Sequence, residues 1–363
     1  MVLAFAHAGH SQTVDVSEWG RTAAGEKVQR YTLTNANRLK AAIITYGATL
    51  IAVETPDRSG AMANITLHLA SFRDYEKGHP LFGSIVGRYA NRIDTGGFTI
   101  DGKRFDLETV NPKTGVHIHG GKKGVQKLMW NAKPTREDEA ATVTLTHISP
   151  DGHEGFPGKV TMRVTYRLSN DDSLSIKYEA TTDAPTHINL SNHVYWNLDG
   201  AGVGNILGHR LTLNADKVLT IDSRKIPTGE FTKVGNTPFD FRKPQTIGAH
   251  ISEVAGGGYD HCYALNNWLA NGPPILFARI ESAASGRVLE ALTTEPGVQL
   301  YTANYLKSTL NAPSGRPYGP YHGICLETQR FPDSPNKPQF PSTMLRPGET
   351  YRQLTVFRFT VAK

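Results

Sequence analysis

Val160, Met162, Val164, Tyr166 and Leu168 alternate with polar residues, and after Asn170-Asp171-Asp172 the alternation resumes at Leu174, Ile176 and Tyr178. A period of two puts one set of side chains on one face of an extended chain, which helical spacing cannot do. The pattern recurs at Val143 and Leu145, and again at Leu211 and Leu213. Phe98 and Ile100 face Phe105 and Leu107 across Asp101-Gly102, a strong short hairpin signal. Residues 354–361, Leu-Thr-Val-Phe-Arg-Phe-Thr-Val, read as a closing strand. The 35 glycines and 21 prolines are spread along the 363 residues. They interrupt most windows before three turns of helical periodicity accumulate. No linker or repeat is evident. The expected fold is therefore all-β, a large antiparallel β-sandwich with few short helices, built by residues 1–363 as one domain.

Composition narrows the function classes. Hydrophobic residues are 39% and charged residues 20%, an ordinary globular balance. The net charge of +6 is thinly spread, with no run of five like charges, so no nucleic-acid partner is expected. No stretch of 18 apolar residues exists, so no membrane partner is expected either. Two cysteines, Cys262 and Cys325, build no disulfide framework, and their spacing does not decide whether one bridge forms. Val2 to His10 have the small residues of a cleavage region but no charged leader. Residues 1–12 are read as a flexible segment or the remnant of a trimmed signal. The expected compartment is the cytoplasm, or the periplasm or exterior if a signal was trimmed. The expected assembly is a monomer or homodimer.

Several motif candidates fail on their chemistry. Gly200-Ala201-Gly202-Val203-Gly204 lacks the third glycine and the βαβ setting of a dinucleotide fingerprint, and reads as a tight turn. Gly120-Gly121-Lys122-Lys123-Gly124 lacks the Ser or Thr of a phosphate-cradling loop. His117 and His119, two apart on an expected strand end, would face one side, but no further ligand cluster stands nearby, so no metal is expected. No nucleophile elbow is present.

Six polar clusters remain: Gly87 to Ile93, His117 to Gly121, Asn189 to Leu198, Gly258 to His261, Thr293 to Tyr301, and Gly323 to Gln329. Read singly they are bland, since asparagine-rich turns satisfy their own backbone. Glu327 stands out because the apolar Ile324-Cys325-Leu326 precedes it, and desolvation there would raise its pKa toward that of a useful base. Together the clusters hold Asn, Arg, His, Asp, Gln and Glu beside aromatic residues. Amides, carboxylates and an Arg fork serve sugar hydroxyls, and aromatic faces cover the apolar side of a ring. Trp130, Trp196 and Phe331 are candidates for that face.

From Tyr46-Gly47-Ala48 to Pro347-Gly348-Glu349 the clusters resemble, in order, those of aldose 1-epimerases, or galactose mutarotases. The specific parts are Gly87 to Ile93, His119-Gly120-Gly121, Asn192 to Leu198 and Leu326-Glu327-Thr328. The resemblance implies a mutarotase-type sandwich that interconverts the α and β anomers of free aldohexoses such as galactose and glucose, with no cofactor. It implies His193 as general acid and Glu327 as general base. It implies Asn91, Arg92, His119, Tyr195, Asp260 and Gln299 as sugar-binding residues. Val194 and Trp196 depart from the family's usual smaller polar residue and Phe, which blurs the sugar preference.

Three rival readings remain. A hexose-6-phosphate 1-epimerase would need an extra cationic pocket, for which Lys122-Lys123 is the candidate. A non-catalytic carbohydrate-binding module would not need His193 and Glu327 together. A glycosidase would need two carboxylates flanking the bond, for which Asp260 and Glu327 are the candidates.

Overall fold

The computed structural model describes residues 12–108 and 111–362, so the N-terminal stretch read above lies outside the described residues except for Gln12. Three antiparallel sheets dominate. The largest has nine strands, in the order Asn131–Glu137, Ala140–Ser149, Val160–Ser169, Ser173–Thr182, Tyr351–Val361, Arg287–Thr293, Ile275–Glu281, Arg210–Leu213 and Gln245–Thr246. An N-terminal sheet runs in sequence order through Thr13–Arg21, Lys27–Thr34, Lys40–Ile44, Thr49–Pro56 and Met62–Asn64. The third, here the site sheet, is ordered Pro227–Lys233, Lys217–Ile221, Asp260–Ala264, Gly297–Tyr301 and Cys325–Gln329. Among the described residues the α-helix content is one short helix, Phe72–Glu76. The all-β expectation holds.

Local chemistry explains the elements. Ile100 pairs directly with Lys103 across the Asp101-Gly102 turn, where both turn residues have positive φ (49° and 79°). That is the geometry for which Asp-Gly is favoured. Val160–Ser169 and Ser173–Thr182 pair in register, with Leu168 opposite Leu174, and Asp172 takes φ 61° in the turn. The C-terminal strand is not at an edge. It lies centrally, between Ser173–Thr182 and Arg287–Thr293. The period-two pattern carries no information about neighbours, so centrality was not legible from it. One apolar core joins the sheets, with Leu33, Ile43 and Leu50 from the N-terminal sheet, Val164, Ile176 and Phe357 from the largest, and Val298, Leu300 and Leu326 from the site sheet.

Buried polar groups pin loops onto this core. The Arg88 guanidinium is buried and donates to Ser149 Oγ (2.9 Å) and to the carbonyls of Ser149 (3.0 Å), Pro150 (2.5 Å) and Pro157 (2.9 Å). It holds the Gly87-to-Ile93 segment against the end of the Ala140–Ser149 strand. Burial pushes its pKa down to about 10, so it stays charged at neutral pH. Asn192 donates to the Gly83 carbonyl (2.7 Å) and to the Tyr166 hydroxyl (3.2 Å), which itself donates to the Ala48 carbonyl (2.7 Å). The buried asparagines thus staple distant segments, where the sequence suggested that they serve their own turns. Cys262 and Cys325 are buried and unbridged.

Arg88→Met removes the guanidinium donors from these carbonyls, of which Pro150 keeps the His153 N–H (3.2 Å). We expect it to lower unfolding free energy by about 3 kcal/mol or more. Urea denaturation checks this, and a loss within experimental error would show that the buried guanidinium is dispensable.

Candidate active site

The pleat of the site sheet sorts its residues. Tyr263, Val298, Leu300 and Leu326 enter the core, while the alternate positions look the other way. Register then aligns two rows on that other face: Asp260, Tyr301 and Cys325, and beside them Cys262, Gln299 and Glu327. Short strand pairs bring the remaining groups over this face. Ser191–Asn192 pairs with Ile85–Val86 and delivers His193, while Arg92–Ile93 pairs with His117–Ile118 and delivers Asn91, Arg92 and His119.

Asn91 and His119 both lie in the left-handed region (φ 64° and 49°), where Asn and His are among the commoner occupants. The His119 conformation breaks the strand alternation. His117 therefore turns into the core beside Phe156 and meets the Glu108 carbonyl, while His119 turns to the cavity. The two histidines do not face one side, contrary to the strand-end expectation. Gly120 follows at φ 79°, and a Cβ there would sit 1.7 Å from the Gly87 carbonyl oxygen, so only glycine fits.

Asn91, Arg92, His119, His193, Tyr195, Asp260 and Glu327 line one cavity of about 230 Å³, together with Pro80, Leu81, Tyr301 and Tyr305. This is smaller than the ~300–1,000 Å³ of drug-sized pockets and suits one sugar ring. A larger hollow of about 850 Å³ lies elsewhere, but Arg242 there is already paired with Asp240 (2.8 Å) and His250 with Glu253 (2.7 Å).

Glu327 is 2% exposed, its Oε1 lies 3.7 Å from His193 Nε2, and its Oε2 has no hydrogen-bond partner among the described residues. Burial, then the Asp260 charge, pushes its carboxyl up to about 8, against the pull of Arg92. This is the desolvation that the preceding apolar run implied. Burial pushes His193 down to about 4. Its ring stacks on Tyr195 (centroids 5.1 Å, 27°), and Cys325 Sγ lies 3.7 Å from its Nδ1. The Tyr195 hydroxyl donates to the Pro80 carbonyl at 2.8 Å, so Tyr195 supports the His193 ring while its polar tip is engaged elsewhere.

Asp260 behaves oppositely. Burial alone would raise its carboxyl, but Arg92 and Lys225 nearby, with hydrogen bonds from Lys225 and Gln299, bring it down to about 2. Lys225 Nζ donates to Oδ2 at 2.5 Å, Arg92 Nη2 reaches the same oxygen at 3.5 Å, and Gln299 Nε2 donates to Oδ1 at 2.7 Å. Arg92 Nη1 also donates to Asn91 Oδ1 at 3.2 Å. Gln299 thus sits behind Asp260, whereas the other sequence candidates face the cavity.

His119, His193 and Glu327 place potential ligand atoms within 4.8 Å of one another. The hydrogen bonding of His119 opposes a metal there. The Asn91 backbone N–H donates to His119 Nδ1 at 3.2 Å. Burial lowers the pKa of this ring well below the usual value, so it is neutral. A neutral imidazole that accepts at Nδ1 carries its proton on Nε2, which makes the cavity-facing nitrogen a donor and not a ligand.

Trp130, Trp196 and Phe331 are core residues. Trp196 packs on Phe357 and Phe359, and Phe331 packs with Phe231 and Phe340. The aromatic walls of the cavity are Tyr195 with Tyr301 and Tyr305, the last two stacked at 6.2 Å and 21°. Tyr301 lies two residues past Gln299 on the same strand and so shares its face. Tyr305 and Lys225 carried no sequence signal.

A buried carboxyl facing a buried imidazole, beside an ionised carboxylate in a pocket the size of one sugar ring, is an arrangement able to move protons to and from a bound hydroxyl compound. Residues 29–358 match the aldose 1-epimerase family. The chain is 40% identical over 335 residues to galactose mutarotase of Sus scrofa, covering 92% of this chain and 95% of that one. It is 35% identical over 342 residues to aldose 1-epimerase of Escherichia coli, covering 92% and 96%. The crystal structure of galactose 1-epimerase from Lactobacillus acidophilus superposes with a TM-score of 0.84 at 29% identity, covering 97% and 100%. The chain belongs to the aldose 1-epimerase family and is an isomerase. No helix among the described residues is long and apolar enough to cross a membrane.

The Asn91–His119 contact gives a direct expectation. Nitrogen-15 NMR of the histidine rings should find His119 neutral and Nε2-protonated at neutral pH, because burial holds its pKa well below the ordinary value. Titration near the ordinary value of ~6.5 would contradict the assignment.

Proposed function

We propose that the chain interconverts the α and β anomers of free aldohexoses, galactose and glucose foremost, with Glu327 and His193 as the exchanging acid–base pair. The observation that carries this reading is the pair's geometry and opposed burial effects: two groups 3.7 Å apart, one pushed up to about 8 and the other down to about 4. Between those values the pair holds a single proton.

Ring opening starts with the proton on His193. Glu327 takes the proton from the anomeric hydroxyl, and His193 gives its proton to the ring oxygen. The bond between the first carbon and the ring oxygen breaks, leaving an aldehyde. Rotation by about half a turn about the bond to the second carbon presents the other face. Reclosure runs the transfers backward, with Glu327 as acid and His193 as base. The free site rests in the second of these proton arrangements. A hydrogen bond from the anomeric hydroxyl to Glu327 favours its ionised form once sugar is bound. His119 Nε2–H and the Arg92 guanidinium supply donors toward sugar oxygens, and Asp260 supplies an acceptor.

Two observations favour free sugars over sugar phosphates. The Arg92 and Lys225 charges both meet Asp260. In the glycine loop, Lys122 Nζ pairs with Glu108 at 2.7 Å, and the backbone N–H groups of Lys122 and Lys123 are taken by Glu154 (3.2 and 2.7 Å). The glycosidase reading loses support because Asp260 is tied to two cations and Gln299.

Polarimetry of freshly dissolved α-D-galactose tests the reading, with galactose 6-phosphate as the comparison. Wild type should speed the approach to the same final rotation. Glu327→Gln and His193→Asn should each lose about 10²–10⁴ in kcat while still binding galactose. Full activity in either variant would remove its role.

The pH profile follows from the same pair. Below about 4 a second proton enters His193 and no base remains; above about 8 Glu327 loses the shared proton and no acid remains. kcat/KM should therefore be bell-shaped between those limits. A profile flat through pH 9 would contradict the assignment.

A further inference from the structure

Lys225 belongs to none of the clusters that marked the site, and it does not line the cavity. It sits in the turn that joins Lys217–Ile221 to Pro227–Lys233, at the outer edge of the site sheet. That turn is tightly specified. Asp222 N–H donates to the Ile226 carbonyl (2.8 Å), Lys225 N–H donates to the Asp222 carbonyl (2.9 Å), and Lys225 itself has φ 63°. The neighbouring Arg224 is anchored to Asp94 (2.7 Å) and Asp222 (3.0 Å). Together these contacts aim the Lys225 side chain inward along the sheet. Its Nζ donates to Asp260 Oδ2 at 2.5 Å and to the Tyr305 hydroxyl at 2.9 Å, and it lies 4.5 Å from the centroid of the Tyr305 ring.

We propose that Lys225 is a positioning residue of the isomerase site, holding the Asp260 carboxylate as a fixed acceptor for sugar hydroxyls and bracing the Tyr305 wall. This rests on the reading that Asp260 binds the sugar. The distances single out Lys225. Of the two cations on Oδ2 it is the nearer, and Arg92 divides its guanidinium between Asp260 and Asn91. Without Lys225, Asp260 keeps one long ionic contact and one amide bond, and its carboxylate is free to swing toward Arg92.

The consequence reaches the acid–base pair. Glu327 faces the Asp260 charge, which raises its pKa, and the Arg92 charge, which lowers it. The other titratable groups around the two carboxylates are His119, His193 and His261, all held neutral at pH 7 by burial, and the Cys262 and Cys325 thiols and Tyr195 and Tyr301 phenols, which burial pushes up. Arg92 and Lys225 are therefore the cations that oppose Asp260. Removing one leaves more of the Asp260 charge to act on Glu327, so the basic limb of the pH profile moves up.

The test uses the full chain and α-D-galactose, with Lys225→Met, Lys225→Arg, Asp260→Asn and the Lys225→Met/Asp260→Asn double variant. Lys225→Met should raise KM about threefold to tenfold, with a smaller change in kcat, as expected for loss of a charge-assisted contact. It should also shift the basic limb to higher pH, and Lys225→Arg should restore both. In the Asp260→Asn background, Lys225→Met should raise KM by less than it does with Asp260 present, since only the Tyr305 brace is then lost. Wild-type KM and an unmoved limb in Lys225→Met would overturn the proposal while leaving the isomerase reading intact. An equal rise in KM with and without Asp260 would overturn it too. A wild-type chain that leaves galactose mutarotation at its spontaneous rate would overturn the sugar reading and this inference together.

Discussion

Two carboxylates, Asp260 and Glu327, share one buried face of the site sheet, and that arrangement has few electrostatic solutions. A desolvated carboxylate must be matched by cations and donors, or it must take up a proton. The fold applies one solution to each. Asp260 receives Arg92, Lys225 and the Gln299 amide, and stays ionised in spite of its burial. Glu327 receives none of these directly, and its Oε2 has no partner among the described residues. The same face thus holds one permanent anion and one proton-holding group with a single strand between them, a division set by environment alone. Exchanging the environments would exchange the roles.

Keeping two such environments side by side requires rigid surroundings, because a cation that reached Glu327 would hold it ionised as well. The rigidity comes from buried polar staples and not from the sheets alone. Asn189 accepts the Arg330 backbone N–H (3.0 Å), Asn192 holds the Gly83 carbonyl (2.7 Å), and Asn197 holds the His322 carbonyl (3.0 Å). The His193 segment is thereby fixed at three points to loops from far along the chain. Asn91 and His119 add a reciprocal pair: His119 N–H donates to the Asn91 carbonyl (2.9 Å), and Asn91 N–H donates to the His119 ring. These bonds are made at left-handed φ values that cost energy, and they orient the ring.

This division explains what was legible in the sequence. Period-two patterning and Asp-Gly turn chemistry are local, so the hairpins at Asp101-Gly102 and Asn170-Asp171-Asp172 could be read directly. The central place of Tyr351–Val361 depends on neighbours remote in sequence, and no local pattern encodes it. The eight expected site residues do converge, because the clusters that hold them are recognisable as ordered motifs. Their individual tasks were less legible. Tyr195 turns its hydroxyl to Pro80, Gln299 stands behind Asp260, and His117 leaves the face of His119 because of a single positive φ. Lys225 and Tyr305 left no trace, since a lysine in a turn and a tyrosine in a loop are ordinary surface residues until register brings them to Asp260.

The tautomer of His119 shows how such details bear on the chemistry. In the mechanism proposed above, the fixed groups hold the sugar oxygens while Glu327 and His193 exchange protons with the sugar. Throughout the cycle those two groups and the sugar keep the same total charge, because each transfer to one side is matched by a transfer from the other. In a low-dielectric site this matters, since a step that created net charge would pay a large desolvation penalty. A third group able to exchange protons at the same oxygens would break the balance by offering a competing path. His119, neutral and held as an Nε2–H donor by the Asn91 backbone, can stabilise negative charge developing on an oxygen without taking part in the exchange. The backbone contact that sets this tautomer is therefore the one that suits His119 to this site.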